Sequence, residues 1–190
     1  MNDFTLWFST GFEHILDLQG YDHICYVIVL SVLFPLSEWR KLLVLITAFT
    51  IGHSLILALS TLNIIRIPQK TIEWMIPLTI LLTCVFNLSK RNKSLKAISF
   101  NYILALFFGL IHGMGFSYLL KSMLGREESI VSPLFSFNLG LEVGQLIIVA
   151  VVLLISVFLE RFCRVEKKNF VFFVSSAVFG IASVMFLERI

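Results

Sequence analysis

Charge is scarce in this sequence. Only 14% of its 190 residues are Asp, Glu, Lys or Arg, against about 25% in a typical soluble domain. The scarcity is concentrated: 42–65 and 97–120 hold no charged residue, and 129–159 holds only Glu142. Cysteine is also rare, with Cys25, Cys84 and Cys163 far apart and in no CxxC or CxxH spacing. That excludes a disulfide scaffold, and all three read as small core residues. There is no HExxH, GxSxG, Walker A or glycine-rich nucleotide fingerprint. A net charge of +3 is what membrane-protein loops ordinarily supply, and it gives no footing for nucleic acid. The opening MNDFTLWF has no basic segment ahead of a short apolar core, so no cleavable signal is expected.

What is present is apolar: 58% of residues are hydrophobic, including 19 Phe. Each charge-poor run is long enough to cross a bilayer, which needs about 20 residues per helix. The expected fold is all-α, a polytopic membrane helical bundle forming a single domain over 1–190. Six transmembrane helices are expected at about 21–36, 40–63, 70–89, 97–122, 133–160 and 169–187. A short interfacial or re-entrant helix over 4–18 precedes them, with Phe4, Trp7, Phe8 and Phe12 on one side. Pro68 and Pro133 punctuate the spans, and Pro77 is expected to kink the third. Ten Lys and Arg fall on one side of this arrangement: Arg40, Lys41, Lys90, Arg91, Lys93, Lys96, Arg161, Arg164, Lys167 and Lys168. The remaining five, Arg66, Lys70, Lys121, Arg126 and Arg189, fall on the other. The richer side is expected to be cytoplasmic, which turns both termini outward.

All four histidines (His14, His23, His53, His112) lie in or beside apolar segments. Ionisable groups at membrane depth are costly and mark functional sites by default. Depth counting places His14, Asp17, Asp22, His23, His53, Glu73, His112, Asn138 and Glu142 in one layer between the midplane and the outer face. Asn138, Glu142 and Gln145 share one helix face, as do Thr50, His53 and Ser54. Gly109, Gly113 and Gly115 surround His112 and permit either close helix packing or a local break. Imidazole with carboxylate and no converging thiols suits a borderline divalent ion: Ni, Co, Zn, Cu(II) or Fe(II). The expected metal-binding set is therefore His23, Asp22, His53, His112, Glu142, Asn138, His14 and Asp17.

Four stretches carry a resemblance: His14-Ile-Leu-Asp-Leu-Gln-Gly20-Tyr-Asp22-His23, Thr47-Ala-Phe-Thr50-Ile-Gly-His53-Ser54, Phe108-Gly-Leu-Ile-His112-Gly-Met-Gly-Phe116 and Phe137-Asn138-Leu-Gly-Leu-Glu142-Val-Gly-Gln145. Together and in this order they resemble the HupE/UreJ family of hydrogenase and urease accessory membrane proteins. The spacing from His14 to Gly20 marks a divergent branch. The resemblance implies a bacterial inner-membrane permease for nickel or cobalt, with Asp22 and His23 as ligands. Its partners would be the metal ion, the lipid bilayer, and a second copy or a metalloenzyme-maturation protein. The residues alone also admit a metal-dependent intramembrane hydrolase, with zinc held by three histidines and Asp22 or Glu142 as general base. They admit, third, a polar-cored helical subunit that binds no metal.

Overall fold

The computed structural model describes residues 3–89, 96–124 and 130–190. The basic residues Lys90, Arg91, Lys93 and Arg126, used above to orient the chain, lie outside the described residues. Among those described, every regular element is a helix. They are α1 (Asp3–Leu16), α2 (Asp22–Ser31), α3 (Trp39–Thr61), α4 (Gln69–Ser89), α5 (Lys96–Leu124), α6 (Val131–Arg161) and α7 (Lys167–Arg189), with a single 3-10 turn, Leu36–Glu38, leading into α3.

Five of these helices are long and apolar enough to cross a membrane, namely Leu36–Thr61, Gln69–Ser89, Tyr102–Met123, Val131–Arg161 and Lys167–Arg189. The protein is a multi-pass helical membrane protein. The span expected over 21–36 is corrected: α2 has 10 residues, about 15 Å of helix, half the thickness of a bilayer core. Its early stop has a local cause. Pro35 sits in extended backbone (φ −72°, ψ 159°), and its ring nitrogen has no hydrogen to continue the ladder. Pro133 falls in the first turn of α6, where no donor is needed. Pro77 lies inside α4, which continues through it.

Pairs of small residues set how the helices meet. α3 and α5 run parallel, with Gly52 against the Leu106 carbonyl, Gly109 against that of Phe49, and Gly113 against that of His53. A methyl group at Gly109 would collide with the Phe49 carbonyl, so only glycine lets these two backbones approach. α1 and α6 are built alike, through Gly11 on Phe137 and Gly140 on Phe8. α4 and α7 run antiparallel, with Trp74 near Phe186 (6.4 Å between rings) at one end and Asn87 bonded to Ser175 at the other. α2 runs alongside α4: Asn87 Nδ2 donates to the Val29 carbonyl at 2.7 Å. Cys25 and Cys84 are buried as expected, but Cys163, in the turn after α6, is exposed and is no core residue.

Candidate functional site

The break between α1 and α2 brings His14, at the end of α1, against His23, in the first turn of α2, with ring centroids 4.7 Å apart. His53 on α3 lies 5.7 Å from His23 and 6.1 Å from His14. His112 on α5 lies 5.0 Å from His23. Four helices thus contribute one imidazole each to a single cluster. Close α3–α5 packing turns His53 and His112 inward, and both are fully buried. The glycines around His112 therefore serve tight packing, and α5 runs unbroken past them. Phe49 and Tyr26 wall the cluster on one side, 5.3 Å and 5.1 Å from His112. Phe116 and Phe137 wall it on the other, Phe116 only 4.2 Å from His14.

Proton positions follow from hydrogen-bond arithmetic. Asp22 Oδ1 lies 2.9 Å from His23 Nδ1 and also accepts the His23 backbone N–H at 2.8 Å. A carboxylate only accepts, so His23 carries a hydrogen on Nδ1 and leaves Nε2 without a partner. Thr79 Oγ1 has one proton and gives it to the Ile76 carbonyl at 2.7 Å. Its 3.0 Å contact with His112 Nε2 is then a ring N–H donating to the hydroxyl, which leaves His112 Nδ1 bare. Five imidazole nitrogens are buried with no hydrogen-bond partner: His14 Nε2, His23 Nε2, His53 Nδ1, His53 Nε2 and His112 Nδ1. Buried polar atoms are nearly always partnered, so unpartnered nitrogens on four clustered rings mark a place built for a ligand.

A cation stands at the margin. Arg189, the last helical residue of α7, donates to Asp22 Oδ2 at 3.3 Å and reaches the Glu73 carbonyl at 3.5 Å. Pro77 explains that free carbonyl, because it lacks the N–H that would bond the residue four before it. Neither Thr79 nor Arg189 stood out in the sequence. A threonine in an apolar helix is ordinary, and nothing local ties Arg189 to Asp22, 167 positions away.

Not every expected residue joins the cluster. Asp22, His23, His53, His112 and His14 do. Asn138 bonds the Leu134 carbonyl through Nδ2 and keeps a buried, unpartnered Oδ1. Glu142 accepts a hydrogen bond from Thr47 at 2.9 Å on the exposed edge between α3 and α6, while the adjacent Thr50 bonds Gln145 at 2.8 Å. Asp17 is exposed in the break and accepts the Gln19 backbone N–H. Glu73 turns its carboxylate to Gln69. Among the described residues, no three His, Cys, Asp or Glu side chains already hold the geometry for one ion. Metal–nitrogen bonds of about 2.0–2.1 Å would require the rings to turn inward.

No curated protein and no solved structure matches the chain. A family model described as HupE / UreJ protein matches residues 1–189. With its histidine cluster inside a multi-pass helical bundle, this chain belongs to the HupE/UreJ family.

Proposed function

We propose that this protein is a permease for a divalent transition metal of the nickel and cobalt type, held in transit by His14, Asp22, His23, His53 and His112. The observation that carries this reading is the cluster of four imidazoles from four helices, each with a buried nitrogen that has no partner. Imidazole suits these ions. Asp22 contributes negative charge and, by fixing His23 as its Nδ1–H tautomer, forms the carboxylate–histidine pair that commonly backs a metal ligand. The free Oδ1 of Asn138 is a further oxygen donor, and Asp17 and Glu142 are assigned to guiding the cation rather than ligating it.

α1 and α2 follow one another in the same direction, and we count them as one interrupted crossing. Their 14 and 10 residues supply about 36 Å of helix. That gives six crossings in a bacterial inner membrane, with both termini outward and the histidines reached from outside through the α1–α2 break.

The test is metal binding by purified protein, measured with nickel, cobalt and zinc in turn. His53→Ala and His112→Ala should each nearly abolish binding, and the double variant should be little worse, since the ligands act as one unit. Glu142→Gln should be mild. Wild-type occupancy in the His53→Ala protein would sink the shared site. A tightly held zinc that never exchanges would favour a hydrolase.

A further inference from the structure

Beyond the histidines, the C-terminal half of α4 carries a second polar feature. Thr79, Thr83 and Asn87 stand at every fourth position of α4 and so share one face. All three are buried, at 3%, 7% and 5% exposure. The row starts at the cluster, because Thr79 touches His112, and it ends two residues before α4 does. From first to last it covers about 12 Å of helix.

The hydrogens along this row are already committed. Thr79 gives its proton to the Ile76 carbonyl at 2.7 Å, and Thr83 gives its own to the Thr79 carbonyl at 2.8 Å. The Asn87 amide donates to the Val29 carbonyl at 2.7 Å and to Ser175 Oγ at 3.3 Å. What remains is oxygen lone pairs. Asn87 Oδ1 is buried and has no donor at all. A buried row that offers acceptors and no free donors attracts a cation and repels an anion.

We propose that Asn87 is an oxygen-donor station on the inward path of the cation, reached from the histidines along Thr79 and Thr83. Its ligand is a partly hydrated divalent metal ion, bound more weakly than at the imidazoles, as a station that must release its cargo requires. This rests on the permease reading above. The competing role for Asn87 is a purely structural clamp, its amide N–H groups tying α4 to α2 and α7. The two roles use different atoms of one side chain, so they can be separated.

The experiment uses the full-length protein in liposomes loaded with a metal-sensitive dye, with Ni²⁺ or Co²⁺ added outside. Equilibrium binding and thermal unfolding are measured in parallel. Asn87→Leu should bind metal at the histidines as the wild type does, yet take it up about tenfold more slowly, the effect of one lost polar interaction on a barrier. Asn87→Asp keeps the acceptor oxygens and loses the donors, so its uptake should stay near wild type. Should Asn87→Leu fail to fold, Thr83→Val carries the test, because it removes one hydroxyl oxygen without changing shape. It should slow uptake and leave binding unchanged. Uptake at the wild-type rate in Asn87→Leu or Thr83→Val would overturn the station alone. So would an Asn87→Asp protein as impaired as Asn87→Leu, since a clamp predicts that result. Failure of the wild type to bind either metal would overturn the permease reading, and the station with it.

Discussion

One hydroxyl proton decides how His112 presents itself. Thr79 commits its hydrogen to its own helix, so the imidazole must donate from Nε2 and expose Nδ1. Thr79→Val removes that acceptor and lets the ring change tautomer or turn away. Metal affinity, measured by calorimetry, should fall about 10–100-fold, the usual effect of losing a group that orients a ligand. Thr79→Ser should stay close to wild type, and equal losses in both variants would refute the orienting role. The histidines themselves were legible in the sequence, because four imidazoles at membrane depth are hard to explain otherwise. Glu142 and Asp17 were expected beside them on helical spacing. Spacing gives the face of a helix but not what that face meets, and Thr47 and the Gln19 backbone meet them first.

At the level of helices, α3 to α7 were readable from long apolar runs poor in charge, which the bilayer itself enforces. α2 was expected as a short span to about Leu36 because apolar residues run on past Ser31 to Phe34, while the hydrogen-bond ladder ends ahead of Pro35. The role of Pro77 was missed for a similar reason. Sequence predicts its disruption of α4, but not that the freed Glu73 carbonyl faces Arg189 of another helix. Glycine raised two alternatives around His112, and the structure selects close packing. Gly109→Leu should therefore force α3 and α5 apart, lowering thermal stability and removing metal binding together, since His53 and His112 are placed by that seam. Gly180→Ala is the matched control, because nothing lies within 4 Å of the added carbon, and it should leave both unchanged. Similar melting curves for the two variants would contradict the packing account.

For the molecule as a whole, the split of ten basic residues against five predicts an orientation, and the structure supplies a native reporter to test it. Cys163 is exposed in the turn after α6, whereas Cys25 and Cys84 are buried. In intact cells a membrane-impermeant maleimide should leave Cys163 unlabelled, and in inverted membrane vesicles it should label it. Labelling in intact cells would turn the bundle over and place the histidines nearer the cytoplasm. Charge bias could suggest this orientation from sequence, but the meeting of Arg189 with Asp22 at one end depends on tertiary packing that no local pattern encodes.

The orphaned ring nitrogens also bear on how firmly the chain folds. Five buried atoms without partners are a standing penalty on the native state, carried by the very helices that have to assemble around them. A cation held by one nitrogen from each ring would bind the folded bundle and not the dispersed helices, so its concentration would become a determinant of folding. At a hundred times its dissociation constant such a ligand adds about 2.7 kcal/mol to stability, a large part of the margin by which most proteins stay folded. Metal supply would then govern how much of this protein survives in the membrane, as well as how much cargo it carries.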